Sequence, residues 1–187
     1  MINIPNFLTT FRIISSVLIP FIILIDSKET GCFMVLIIFL LCSITDFFDG
    51  YIARKFNQTS ELGKMLDPIA DKLLVILVLC FLTLVFSHEY NYLIGIPSIL
   101  IITREILVSG IREFFGSKHN IFDVLLLSKY KTAFQMVAII ILLISTQDIF
   151  WKIYFYYIGI FLLWISALIS IYTGIVYFKK SLIILRD

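Results

Sequence analysis

Thr45-Asp46-Phe47-Phe48-Asp49-Gly50-Tyr51-Ile52-Ala53-Arg54 and, after a short polar break, Ser60-Glu61-Leu62-Gly63-Lys64-Met65-Leu66-Asp67-Pro68-Ile69-Ala70-Asp71-Lys72 place four aspartates at the facing ends of two long apolar runs. Asp46 and Asp49 are spaced i, i+3 and share one helical face; Gly63, Asp67 and Asp71, at i, i+4, i+8, share another. Counted from an outer end near residue 32, Asp46 lies about 21 Å along a helix rising 1.5 Å per residue. That puts it about 9 Å beneath the far edge of a hydrocarbon core ~30 Å thick. Asp71, counted back from residue 86, reaches nearly the same depth. Carboxylates this deep face a bundle interior or a wet cavity and mark a functional site by default.

The rest of the chain explains why the runs are read as membrane spans. Of its 187 residues 60% are hydrophobic, 16% aromatic and only 15% charged, against about 25% charged in soluble domains. Mean hydropathy is +1.04. Six spans are predicted, at about 7–25, 32–54, 66–86, 92–115, 124–146 and 150–178. The fold class that follows is all-α: a polytopic membrane protein with six transmembrane helices in one bundle, forming a single domain over 1–187. An even number of crossings leaves both termini on one side. Of the fifteen lysines and arginines, thirteen fall towards that side and only Lys28 and Lys152 towards the other, which predicts cytoplasmic termini and cytoplasmic loops at 55–65 and 116–123. Asn3-Ile4-Pro5-Asn6 followed by Thr9-Thr10 reads as a turn and helix N-cap, with residues 1–6 lying along the interface. The N-terminus lacks a basic region and no small-residue cleavage site follows, so the first helix is expected to be retained.

The formal net charge of +2 is too small to indicate nucleic acid, and no such partner is expected. Cys32, Cys42 and Cys80 form no Cys-x-x-Cys pair and read as small buried hydrophobes. His88 and His119 read as solvated loop residues. Trp151 with Tyr154-Phe155-Tyr156-Tyr157 reads as an interfacial aromatic belt.

Four crowded carboxylates call for cations. With no histidine or cysteine in the cluster, the donor chemistry favours Mg²⁺ or Mn²⁺ over zinc. A hard metal beside Arg54 and Lys64 points to a phosphate-bearing substrate. Gly50 costs about 1 kcal/mol in a helix interior; either a ligand approaches the backbone there or a neighbouring helix packs against it. Pro68 suits the first turn of a helix. Arg104 and Arg112, eight residues apart, share a face on which guanidinium groups could grip phosphate, with Glu105 and Glu113 orienting them. Lys131, Lys179 and Lys180 read as anchors near anionic headgroups.

The pattern Asp46-x-x-Asp49-Gly50-x-x-Ala53-Arg54, eight residues, Gly63-x-x-x-Asp67-x-x-x-Asp71 resembles the complete signature of the CDP-alcohol phosphotransferases. Asn3-Ile4-Pro5-Asn6, the segments 63–72 and 104–113, and Lys129-Tyr130-Lys131-Thr132-Ala133-Phe134-Gln135-Met136 resemble its glycerol-3-phosphate-accepting branch. The resemblance implies a membrane-embedded six-helix enzyme, usually a homodimer, that transfers the phosphatidyl group of CDP-diacylglycerol to sn-glycerol 3-phosphate and releases CMP. It further implies Asp46, Asp49, Asp67 and Asp71 as ligands of Mg²⁺ or Mn²⁺, two ions in all, with Asp71 as general base. It places Asp49, Gly50, Arg54, Ser60 and Gly63 against the CDP moiety; Arg104, Arg112 and Lys129, cations on other helices, are with Thr45 the candidates to meet glycerol phosphate. The site is expected at the cytoplasmic face of the cell membrane. Another acceptor (inositol phosphate, serine, choline or phosphatidylglycerol) would use the same chemistry. A divalent-cation transporter would also carry deep acidic residues, yet would not need Gly50, Ala53 and Arg54 at these spacings.

Overall fold

The structure is a computed structural model. It describes residues 4–25, 27–55, 61–87, 92–115 and 126–186; within these, the side chains of 4, 5, 47–55, 61, 62, 64, 126–129 and 186 fall outside the description. Every regular element among the described residues is helical: α1 (Ile4–Leu18), a short 3-10 helix (Ile19–Leu24), α2 (Lys28–Lys55), α3 (Glu61–Val85), α4 (Tyr92–Phe115), α5 (Leu126–Ile144) and α6 (Lys152–Arg186). Among the described residues five apolar stretches are long enough to cross a membrane, and a sixth, Tyr130–Ile144, is shorter. Their outward surface carries large apolar side chains such as Phe7, Leu24, Ile99, Phe161 and Leu168. Lipid, rather than water, is the solvent such a surface requires.

The predicted spans hold with instructive shifts. The fourth agrees, at Tyr92–Phe115. The first begins earlier: the chain is already helical at Ile4, so Thr9 and Thr10 lie inside α1 instead of capping it. Pro5 is tolerated in that first turn because its missing N–H would have no helical acceptor. Thr10 Oγ1 donates back to the Asn6 carbonyl at 2.8 Å. The same span does not stay α-helical to its end, because Pro20 opens a tighter 3-10 segment. Pro68 is also not in a first turn: α3 starts at Glu61, which puts Pro68 inside the helix. It has no N–H to give the Lys64 carbonyl. The sixth helix, 35 residues long, runs about 52 Å at 1.5 Å per residue and outlasts its predicted end by two turns.

The described residues group into two compact units, 1–85 with 143–152 and 86–142 with 153–187. In the first, α1 packs chiefly on α3 and then on α2. Ile19, Val35, Phe39, Ala70, Leu74, Val78 and Leu82 are buried there. Gln147 Nε2 ties the 145–151 turn to α2 by donating to the Glu29 carbonyl at 3.0 Å. Cys32 and Cys42 are buried as read from sequence, whereas Cys80 is exposed on α3. A thiol is small and weakly polar, so a lipid-facing position suits it equally. His88 and His119 lie outside the described residues. Trp151, Tyr154 and Tyr157 are exposed at the start of α6, as an interfacial belt requires.

In the second unit α6 is apolar around most of its circumference, but Ser166, Ser170, Thr173 and Tyr177, at i, i+4, i+7 and i+11, form one buried polar stripe. Helices in lipid associate through small and hydrogen-bonding residues because lipid tails are as apolar as leucine. Ser166 Oγ donates to the Lys131 carbonyl of α5 at 3.3 Å, and Trp164 Nε1 to the Leu93 carbonyl of α4 at 3.0 Å. Gly159 lets α5 and α6 approach: a Cβ there would lie 2.7 Å from Leu142 Cγ and 3.3 Å from the Leu142 backbone nitrogen. Replacing Gly159 with valine is therefore expected to destabilise the protein by about 1–3 kcal/mol, the usual cost of overpacking. Thermal unfolding in detergent would register this as a lowered midpoint; an unchanged midpoint would show that the α5–α6 contact relaxes freely.

Candidate active site

α1 carries a polar face in an otherwise apolar helix. Thr9, Arg12 and Ser16, at i, i+3 and i+7, point the same way and are buried. Arg12 is fully buried, yet the side chains of Asp46 and Asp71 are 44% and 53% exposed. The cation therefore lies inside the unit and the carboxylates line its open side. Arg12 Nη1 is 2.7 Å from Asp46 Oδ1 on α2 and 2.7 Å from Asp71 Oδ1 on α3. Thr9 Oγ1 donates to Asp67 Oδ1 at 2.6 Å. One turn further along α1, Ser16 Oγ returns a 2.7 Å bond to the Arg12 carbonyl. Three helices thus meet through one guanidinium and one hydroxyl. Removing one partner of a buried ion pair typically costs about 3–5 kcal/mol.

Asp46 and Asp71 are brought together as the spacing predicts, and Asp67 joins them through α1. Asp49, Gly50 and Arg54 are on the α2 backbone, but their side chains lie outside the described residues, as does Ser60 altogether. Gly63 is buried near the start of α3. Thr45 Oγ1 bonds back to the Cys42 carbonyl at 3.0 Å. For a divalent ion, Asp46, Asp67 and Asp71 fit in kind, since they offer only hard oxygen donors. Among the described residues no three such groups converge closely enough to hold an ion together. Arg12 stands between two of the three.

The second unit holds a separate polar cluster on α4, α5 and α6. Glu105 accepts from Lys131 Nζ and, at 3.3 Å, from Arg104 Nη1. Arg104 Nη2 donates to Thr173 Oγ1 at 3.2 Å. Arg112 Nη2 donates to the Tyr177 hydroxyl at 2.7 Å. The Arg104 and Arg112 guanidinium carbons lie 5.9 and 5.0 Å from the Tyr177 ring centroid, which confirms the shared face and adds cation–π attraction. Gly174 makes room for this: a Cβ there would lie 3.1 Å from Arg104 Cγ. Lys131, read from sequence as a headgroup anchor, is instead buried at 2% exposure. Glu105 supplies the counter-charge that makes this burial affordable. Lys129 is on α5, with its side chain outside the described residues. The Arg104 Nε and Gln135 Oε1 atoms are buried without a hydrogen-bond partner.

Sequence reasoning overlooked Arg12, Thr9, Thr173, Tyr177 and the internal role of Lys131. A usable signal existed for the first: an arginine within the apolar stretch Asn6–Leu24 needs a carboxylate on another helix. The four- and three-residue spacing of Ser166, Ser170 and Thr173 was the corresponding signal on α6.

Comparison with known proteins identifies the family. The sequence model of the CDP-alcohol phosphatidyltransferase family matches residues 2–172. A relative from Rickettsia typhi, named CDP-diacylglycerol--glycerol-3-phosphate 3-phosphatidyltransferase, is 44% identical over 185 residues, covering 96% of this chain and 97% of the relative. Relatives with the same name from Cereibacter sphaeroides and Haemophilus influenzae are 36% and 37% identical. They cover 99% and 96% of this chain and 98% and 93% of their own lengths.

The Lys131–Glu105 pair can be tested directly. Lys131→Met is expected to destabilise the protein by about 1–3 kcal/mol because it takes from a largely enclosed carboxylate one of its two cations. Adding Glu105→Gln should recover a large part of that loss. Equal unfolding midpoints for Lys131→Met and the parent would show that the pair contributes nothing.

Proposed function

This chain belongs to the CDP-alcohol phosphatidyltransferase family, and we propose that it transfers the phosphatidyl group of CDP-diacylglycerol to sn-glycerol 3-phosphate, giving phosphatidylglycerophosphate and CMP. The observation that carries this reading is similarity over nearly the whole chain to relatives bearing that enzyme name. The chain is an integral membrane protein, as its lipid substrate requires. The charge asymmetry of the sequence favours cytoplasmic termini and an active site at the cytoplasmic face of the cell membrane. The resemblance also supports one catalytic domain over the whole chain and a homodimer.

In the reaction the acceptor hydroxyl oxygen forms a bond to the β-phosphorus of the CDP-lipid. The bond from that phosphorus to the bridging oxygen breaks, and CMP leaves with the electron pair. Asp71 takes the hydroxyl proton: its carboxylate is half exposed on the open side of the aspartate cluster and belongs to the pattern the family shares. Asp46, Asp49, Asp67 and Asp71 would hold Mg²⁺ or Mn²⁺, with two ions the natural complement of four carboxylates. Bound there, such ions would supply Lewis-acid polarisation of the diphosphate and charge stabilisation for CMP. Asp49, Gly50, Arg54, Ser60 and Gly63 contact the CDP moiety. Thr45, Arg104, Arg112 and Lys129 contact the acceptor, a reading that rests on the match between three cationic side chains and a phosphate-bearing substrate. Exposed Arg112, held by the Tyr177 hydroxyl at 2.7 Å, presents a fixed guanidinium suited to phosphate.

The test is CMP release from CDP-diacylglycerol by the purified protein with each candidate acceptor. Release is expected with glycerol 3-phosphate, to stop on chelation and to return with Mg²⁺. Asp71→Asn should lower it at least about a hundredfold, the scale of a lost general base. Release with serine or inositol phosphate but not glycerol 3-phosphate would overturn the acceptor; activity that survives chelation would overturn the metal.

A further inference from the structure

α4 carries a proline in its interior. Pro97, buried within Tyr92–Phe115, has no N–H to give the Leu93 carbonyl one turn back, and its ring crowds that same carbonyl. Lipid offers no water to take the place of the missing donor, so the freed carbonyl needs a partner from a neighbouring group. Trp164 of α6 supplies it: the indole Nε1 donates to the Leu93 oxygen at 3.0 Å. Ser98, fully buried beside the proline, gives no help, since its Oγ makes no hydrogen bond.

Sharp helix bends, of about 20° or more, fall at prolines and similar breaks, and the partner of the freed carbonyl governs how far the helix opens there. Beyond this break lie Arg104 and Arg112, about 10 and 22 Å along the axis from Pro97. Over that length a change of about 10° in the bend would carry the Arg112 backbone about 4 Å. The contacts made there leave little room for such a movement. Arg112 Nη2 meets the Tyr177 hydroxyl at 2.7 Å and Arg104 Nη2 meets Thr173 Oγ1 at 3.2 Å. Arg104 also passes so close to Gly174 that a Cβ there would lie 3.1 Å from its Cγ. Both arginines therefore meet α6, the helix that also carries Trp164.

We infer that Trp164 is a positioning residue for the acceptor site: its indole N–H replaces the donor that Pro97 lacks and fixes the bend of α4 that sets Arg104 and Arg112 against α6. This rests on the acceptor reading of the two arginines proposed above. Trp164 acts through the α4 backbone, about 16 Å along the helix before Arg104. A buried carbonyl stripped of its donor shifts an equilibrium by about five- to a hundredfold. Here the shift falls on the bend, and so on the grip of the arginines on a phosphate.

The experiment measures KM for glycerol 3-phosphate and KM for CDP-diacylglycerol with the full-length protein in nanodiscs, neither of which depends on the folded fraction. Trp164→Phe keeps an aromatic ring and removes the N–H. It is expected to raise KM for glycerol 3-phosphate at least about fivefold and to leave KM for CDP-diacylglycerol within about twofold. Pro97→Ala gives the Leu93 carbonyl a helical donor of its own, so adding Trp164→Phe to Pro97→Ala should change neither KM. The inference is overturned if Trp164→Phe matches the parent, raises both KM values alike, or has the same effect with alanine as with proline at position 97. Loss of all activity in Trp164→Phe that Pro97→Ala does not restore would overturn it as well. Arg112→Gln tests the acceptor reading separately: an unchanged KM for glycerol 3-phosphate in that variant would overturn the acceptor reading, whatever Trp164→Phe does.

Discussion

The ion pairs from Arg12 to Asp46 and Asp71 are the interaction on which the first unit depends. An uncompensated charge within a membrane span is costly, and here each charge is the remedy for the other. The guanidinium can be buried only because two carboxylates meet it. The carboxylates can approach only because a cation lies between them. This reciprocity joins α1, α2 and α3 through polar contacts, where apolar packing alone discriminates poorly between a neighbouring helix and lipid.

The second unit solves the same problem with different residues. Glu105 on α4 collects Lys131 from α5 and its own neighbour Arg104, while Thr173 and Tyr177 on α6 receive the two arginines. Gly159 and Gly174 supply the close approach that short polar contacts need. In both units polar groups placed at helical intervals define which faces meet. The apolar surface outside them is left to lipid.

The two clusters differ in what they leave available. In the first unit the cation is enclosed and the carboxylates are open, so that face is suited to hard cations and, through them, to a diphosphate. In the second the carboxylate is nearly enclosed while Arg112 is exposed, so the open charge is positive and suited to an anionic group.

Much of this was legible in the sequence. Apolar runs of spanning length fixed an all-helical membrane chain, since lipid admits only elements that satisfy their own backbone. The spacing of Asp46, Asp49, Gly63, Asp67 and Asp71 marked the candidate site, because helical periodicity turns sequence intervals into shared faces. What periodicity within one helix cannot specify is which face of another helix it meets. That Arg12 belongs to the aspartates, that Thr9 holds Asp67, and that Lys131 is an internal ion-pair partner were decided only by tertiary packing. The physical reason is that a charged residue near a span's end can reach the interface or pair inward, and only the presence of an opposite charge on a neighbouring helix decides between them.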